Sequence, residues 1–259
     1  APLAGAIAAG LFGKAIGREL AREGANVALV ARDKTALEAA AADITRVGAG
    51  QVRGFVGDTG DDASVKAMVA AVVGAFGRVD ILVNCAAKPS GQAKPPTLAE
   101  ITTEEFWDHM NTKVMGYLRT TREVAPHMAR QKSGRIINVS GLGARQTGTT
   151  IGSIRNVGVA ALTKNLADEL GPLGINVTVV HPGLTRTEAT AGVVVARAAA
   201  QGVTVDEVER RMASGNTVRK VIDAEEIAWV VAFLASPRSV AINGDAIVAG
   251  GGQPGSIHY

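Results

Sequence analysis

Strand-like and helix-like segments alternate along almost the whole chain, and that alternation limits the possible folds more than any other feature. Residues 6–9, 26–31, 51–56, 80–83, 135–139, 175–180 and 245–248 are short apolar runs of strand length. Residues 15–23, 34–47, 61–76, 103–130 and 223–235 carry apolar residues at helical spacing, and Pro126 is expected to bend or end the longest of them. Strands that alternate with helices in this way pack as a parallel sheet covered on both faces. Hydrophobic residues make up 47% of the chain and aromatics 3%, so the core must be Ala, Val, Leu and Ile, which suits strands buried on both sides. With 259 residues, no internal repeat and no Pro/Ser-rich linker, residues 1–259 are expected to form a single doubly wound α/β domain, a three-layer sandwich.

Other features exclude classes of partner. The net charge of +3 is spread along the chain, with no run of five like charges and none of the basic stripe that nucleic-acid binding requires. The lone cysteine, Cys85, supports neither a disulfide framework nor a zinc site within one chain, so no metal is expected and a reducing, cytoplasmic compartment is. No apolar run approaches the ~20 residues of a membrane span. The opening residues are apolar without a basic start, which argues against a signal peptide.

The first strand leads through Gly10, Gly13, Lys14, Ile16 and Gly17 into a helix. A glycine turn there lets backbone N–H groups and the helix dipole meet a diphosphate. Ala15 stands where close packing would favour Gly, and the turn alone is a weak motif. The second strand ends Val30-Ala31-Arg32. A site for a free ribose 2′-hydroxyl wants a carboxylate near there. Ala31, Arg32 and the nearby Lys14 suit a 2′-phosphate instead, so NADP(H) is favoured over NAD(H). The alternative is that Arg32 is a solvated loop residue.

The segments 22–33 (REGANVALVARD), 77–84 (GRVDILVN), 134–140 (GRIINVS), 161–167 (ALTKNLA) and His181-Pro182-Gly183 resemble the short-chain dehydrogenase/reductase family over nearly the whole length. The resemblance implies a Rossmann fold with a seven-stranded sheet, NAD(P)(H) across the strand ends, a small-molecule substrate, and a homodimer or homotetramer. It assigns Asp58 to the adenine amine, Asn84 and Ala86 to the turn after the fourth strand, and Pro182, Gly183 and Thr187 to the nicotinamide. Cys85, in that turn, is expected to be a small packed side chain, because nothing basic adjoins it.

The same resemblance exposes a gap. The family protonates its substrate with a Tyr whose pKa is lowered by a Lys four residues later. Counting back from Ala161-Leu162-Thr163-Lys164 puts Gly152 and Asn156 at those positions. The Ser position falls on Gly141, one residue after Ser140, and Asn111 matches the family Asn. Catalytic candidates are therefore Asn111 and Ser140. Tyr117 is expected to face away from Asn111 at 100° per residue, and Tyr259 to be a loose terminus. Arg155 places a cation near the lost Lys without being an acid. His181 is expected to be structural. Loss of general acid catalysis costs typically ~10²–10⁴-fold, or roughly 3–5.5 kcal/mol.

Residues 184–220 lie between a strand and a helix and carry their own helical patterns at 189–200 and 205–212. A segment of this size after a strand end suits a substrate lid, with a surface helical hairpin as the alternative. Three functions remain open on the sequence. The favoured one is an NADP(H)-dependent oxidoreductase with an altered proton path. The others are a degenerate dinucleotide-binding protein and a non-redox enzyme such as a lyase or hydratase.

Overall fold

The computed structural model describes residues 4–10 (backbone only), 12–87, 95–187 and 190–255. In chain order the elements begin β1 (Ala4–Gly10), α1 (Gly13–Arg22), β2 (Asn26–Ala31), α2 (Lys34–Thr45), β3 (Val52–Val56), α3 (Asp62–Phe76) and β4 (Ile81–Cys85). They continue with α4 (Thr103–Met110), a π turn (Asn111–Met115), α5 (Gly116–Gln131), β5 (Gly134–Val139), α6 (Thr150–Leu170) and β6 (Ile175–Pro182). The last are β7 (Thr185–Arg186), α7 (Thr190–Gln201), α8 (Val205–Ala213), β8 (Ile222–Asp223), α9 (Ala224–Ala235) and β9 (Ala246–Ala249).

Seven strands form one parallel sheet in the order β3-β2-β1-β4-β5-β6-β9. The chain winds outward from β1 to β3, then returns to start β4 on the other side of β1. That reversal opens a crevice above the carboxyl ends of β1 and β4.

Alternation along each strand feeds two cores. Val27, Leu29, Ile81, Val83, Ile137 and Val139 face Ile16 and Leu20 of α1 and Ile227 and Val231 of α9. Ala28, Val30, Leu82, Ile136 and Val177 face Val65 and Val69 of α3, Val124 and Met128 of α5, and Leu166 of α6. Full burial of each such aliphatic side chain contributes about 1.5–3 kcal/mol. Gly17 is where α1 meets the sheet most tightly: a Cβ there would lie 2.7 Å from Leu29 Cδ2. The close-packing glycine is thus Gly17, and Ala15 needs no replacement.

Two details differ from the sequence expectation. Pro126, expected to bend or end the longest helix, does not end it, and α5 runs on to Gln131, one residue past the expected 130. The irregularity comes earlier, at the π turn, where the Gly116 N–H donates to Asn111 O five residues back. Gly116 permits this because a Cβ there would lie 3.0 Å from Thr59 Cβ. The second difference is at β6, which continues through His181 and Pro182 because β9 pairs alongside, Pro182 opposite Ala249. Pro182 sits at the last strand position, where a missing N–H disturbs the ladder least.

Beyond β6 the chain makes a two-stranded parallel pair, Thr185–Arg186 with Ile222–Asp223. Helices α7 and α8 lie between those two strands in the chain and share a small core of Val194, Ala198 and Val208. Among the described residues, no helix is long and apolar enough to cross a membrane.

Candidate active site

Two cavities line the carboxyl ends of the strands, and both touch Ala87. One, of about 680 Å³, is bounded by the end of β2 from Val30 to Asp33, by Gly57, Asp58 and Thr59 after β3, by Ala86, and by Thr112 of the π turn. The other, of about 520 Å³, is bounded by Phe12, Cys85, the chain from Val139 to Gly143, the loop and first turns of α6, Pro182 to Thr185, and Thr187.

At the first cavity the charges are set locally. Asp33, the carboxylate that follows Arg32, is used as the N-cap of α2 and accepts from Ala36 N at 3.0 Å. Arg32 is 76% exposed at the cavity edge, 4.0 Å from Asp58 Oδ2. The other Asp58 oxygen accepts from Gly60 N at 2.8 Å, which fixes the carboxylate in its turn. Lys14 is directed elsewhere: its Nζ lies 3.4 Å from Asp43 of α2, and it is absent from both linings. Ile16 is fully buried in the core, so any role of the turn there belongs to its backbone. Gly10 and Gly13 flank the turn that carries β1 into α1.

Asn84 lies beneath the crevice. Its Nδ2 donates to Asn138 Oδ1 at 2.9 Å, and its Oδ1 accepts from Thr120 Oγ1 at 2.7 Å. Asn138 in turn donates to Thr163 Oγ1 at 2.9 Å. This buried amide chain ties β4, β5, α5 and α6 together, and Asn84 is absent from both linings. Ala86 borders the first cavity; Pro182, Gly183 and Thr187 border the second. A Cβ on Gly183 would lie 2.8 Å from Gly250 Cα, so the chain passes there without side chains.

The second cavity holds the main departure from the sequence reading. Asn111 does not enter it. Its Nδ2 donates to Gly60 O at 3.1 Å, and its carbonyl accepts from Arg119 at 3.2 Å. The π turn adds a residue to the helix at this point and brings Lys113 inward in its place. Lys113 is 3% exposed, and its Nζ donates to Ser140 O and to Asn156 Oδ1, each at 2.9 Å. Burial, reinforced by the Arg155 charge, lowers the Lys113 pKa from 10.5 to about 7.

Ser140 does face the cavity, and its hydroxyl donates to Asn156 O at 3.0 Å. Arg155 is buried in the same wall, with Nη1 2.6 Å from His109 Nδ1. Tyr117 is fully buried behind the cavity, where its hydroxyl donates to Val139 O at 2.8 Å. Burial raises that phenol well above its ordinary pKa. Cys85 is a small buried part of the lining, and His181 is buried at the end of β6 outside it. Tyr259 lies outside the described residues. Gly152 and Asn156 both line the cavity; a Cβ on Gly152 would lie 2.6 Å from Thr149 Cγ2.

Lys113 was not among the sequence candidates, although a signal was present. Tyr117, Thr120, Thr121, Val124 and Met128 form the buried stripe of α5. Lys113 lies four residues before Tyr117 on that stripe, which directs it inward.

A family model described as Enoyl-(Acyl carrier protein) reductase matches residues 5–253. The chain is 35% identical over 244 residues to the short-chain reductase protein NovJ of Streptomyces niveus, covering 94% of this chain and 90% of that one. It is 31% identical over 245 residues to a putative ketoacyl reductase of Streptomyces coelicolor, covering 93% and 92%. Among solved structures it is similar to L-sorbose reductase from Gluconobacter frateurii complexed with NADPH and L-sorbose, with a TM-score of 0.91, 26% identity and 99% of each chain covered. An actinorhodin polyketide ketoreductase variant with NADPH superposes with a TM-score of 0.87 at 28% identity, over 97% of each chain. The chain belongs to the short-chain dehydrogenase/reductase family.

Proposed function

We propose that the protein is an NADP(H)-dependent oxidoreductase that interconverts a carbonyl and an alcohol on a small molecule, in a site where Gly152 and Asn156 replace the usual Tyr and Lys. The observation that carries this reading is the edge of the first cavity. Its one carboxylate after β2, Asp33, is used as a helix cap, which leaves the exposed Arg32 guanidinium facing the crevice. A guanidinium grips a phosphate by two parallel hydrogen bonds, which a ribose hydroxyl does not offer. The NADPH in two related structures supports the same choice.

Arg32 would hold the 2′-phosphate, Asp58 the adenine amine, and the N-terminus of α1 the diphosphate. Pro182, Gly183 and Thr187 would flank the nicotinamide at the second cavity. Bound in this way, the cofactor supplies hydride to a carbonyl carbon. Residues 184–220 then act as a lid over a single domain. Leu184 and Thr185 already border the cavity at one end of that segment, and the β7–β8 pair ties its ends together. Trp107, Ile154 and Val157 are exposed apolar side chains on α4 and α6, and they support assembly into a homodimer or homotetramer through that face. The lone cysteine, Cys85, is buried in the core, which fits a cytoplasmic protein.

Fluorescence titration of NADPH and NADH against the protein, followed by a carbonyl panel, tests the reading. NADPH binding with oxidation over at least one carbonyl is expected. No response to either nucleotide defeats the proposal. Binding without any turnover favours a dinucleotide-binding protein that does no chemistry.

A further inference from the structure

We propose that Lys113 is the proton donor of this site, an ammonium carried in from the π turn between α4 and α5 to serve the substrate oxygen in place of the absent Tyr–Lys pair. The proposal rests on the reductase reading above and assigns its missing acid.

The placement carries the argument. Asn156 stands at the position where the family resemblance predicts a lysine, and the Lys113 ammonium is bonded to that side chain. An ammonium thus occupies the neighbourhood expected for one, but it arrives from another helix. The surroundings accommodate the exchange. A Cβ on Gly141 or Gly143 would lie 3.1 or 3.0 Å from Asn156 Nδ2, so small residues there make room for the amide. The Ser140 hydroxyl holds the Asn156 carbonyl, and the Ser140 carbonyl takes a second Lys113 proton. Two of the three ammonium donors are used by these bonds, which leaves one for a ligand in the cavity that Lys113 lines.

Among the described residues no carboxylate lines this cavity, and the titratable side chains that do are Cys85, Lys113 and Arg155. Burying an ammonium without a counter-ion is costly, and a Met or Leu would fill the space more stably. Other groups facing Lys113 do not supply the acid. From α6, Arg155 keeps its proton, because a guanidinium does not deprotonate in this range. His109 of α4 is engaged with Arg155. On α5 behind the cavity, the Tyr117 hydroxyl is committed to Val139 O. From β4, Cys85 contributes a small buried thiol. Lys113, with a pKa near 7, both holds and releases a proton near neutrality, which is what general acid catalysis requires.

In the reductive direction the carbonyl carbon receives hydride from the bound cofactor, and the C=O π pair moves onto oxygen. That oxygen forms an O–H bond as one Lys113 N–H bond breaks. The carbonyl is reduced to a carbinol and the dihydronicotinamide is oxidised. The neutral amine then regains a proton from solvent through the cavity mouth.

The test uses the full chain with Lys113→Met and Lys113→Arg, together with wild-type protein labelled at lysine ¹³Cε for NMR. Both variants should bind NADPH as the wild type does and slow reduction by ~10²–10⁴-fold. Lys113→Arg keeps the charge yet cannot release the proton, so it should be as slow as Lys113→Met. Wild-type kcat/KM for reduction should fall as pH rises through about 7, the Lys113 value. In the cofactor-free protein one lysine signal should titrate in that range and vanish in Lys113→Met. Wild-type turnover in Lys113→Met overturns the Lys113 assignment and leaves the reductase reading standing. NADPH binding by the wild type with no carbonyl turnover overturns the reductase reading, and the donor with it. Lysine signals that all titrate near 10.5 overturn the donor even if Lys113→Met is inactive.

Discussion

Around Arg32 and Asp58 the crevice is made of backbone turns and exposed charges, each set by its immediate neighbours: Asp33 caps the helix that starts beside it, and Asp58 accepts from Gly60 two residues on. Around Lys113 it is made of buried side chains that meet across the chain, over 27 residues to Ser140 and 43 to Asn156. In the first region the hydrogen bonds of Asp33 and of Asp58 Oδ1 close within their own turns. In the second, Lys113 and Asn156 form one unit. An ammonium at 113 needs an acceptor at 156, and an ammonium at 156 would need 113 vacated.

The largest expected effect comes from the buried ammonium. Lys113 has a folded-state pKa of about 7 against an ordinary 10.5, so between those values the unfolded chain holds one proton more than the folded one. Stability from this group therefore rises with pH across that window and is lowest below pH 7, by roughly 4–5 kcal/mol in full. Tyr117 has the opposite sign above pH 10, where its raised pKa makes unfolding release a proton. Urea unfolding from pH 6 to 10 should show the rise in the wild type and not in Lys113→Met, and Lys113→Met should be the more stable at pH 6. Equal pH slopes would mean that Lys113 is solvated and the second region is no tighter than the first.

Next in size is Asn156→Lys. It removes the acceptor of the Lys113 ammonium and sets a second cation beside it, which should cost about 3–5 kcal/mol. Lys113→Met in the same chain should recover most of that loss. If the two changes add independently in urea unfolding, positions 113 and 156 are not coupled, and the contrast between the regions fails.

What the sequence made legible follows the same division. The bounds of β2 are those expected, because its ends are set by local turn residues. The 2′-phosphate candidate Arg32 was readable from one residue and its neighbour. Asn84, expected in the turn after the fourth strand, lies within β4 instead, and its side chain is consumed by Asn138 and Thr120, partners more than thirty residues away. The long helix looked continuous up to Pro126, since a π turn has no composition of its own. Its consequence, Asn111 turned to Gly60, depends on how Thr59 meets Gly116 and Gly60 meets Asn111 in space. Spacing puts Gly152 and Asn156 at the positions where the family resemblance implies Tyr and Lys; the buried stripe that continues into α5 points Lys113 inward, but its partner Asn156 on α6 is not legible from that stripe.

A smaller effect is expected at the nucleotide end. Arg32→Ala should weaken NADPH by about 1.5–3 kcal/mol, the range for a hydrogen bond to a charged group, and leave NADH nearly unchanged. Parallel fluorescence titrations check it. An equal loss for both nucleotides would mean that Arg32 serves the turn through Asp58 rather than the phosphate.

The smallest effect tests why position 152 is a glycine. Thr149 caps α6 and accepts from Gly152 N at 3.4 Å, and its methyl lies 2.6 Å from where a Cβ at 152 would be. Alanine is a better helix former than glycine by about 1 kcal/mol, so Gly152→Ala would ordinarily stabilise α6. In this chain the methyl clash should cancel that gain or reverse it. Thr149→Ser keeps a hydroxyl for the cap and deletes the methyl. In that background Gly152→Ala should stabilise by a few tenths to about 1 kcal/mol, measured as the shift in the urea midpoint. The change of sign is the diagnostic. A gain already present with Thr149 in place would mean that the loop gives way easily, and that a larger side chain, a phenol included, has room at 152. A loss in both backgrounds would place the obstruction in the backbone around Gly148 to Ser153, and the remodelling of this half would then extend beyond its side chains.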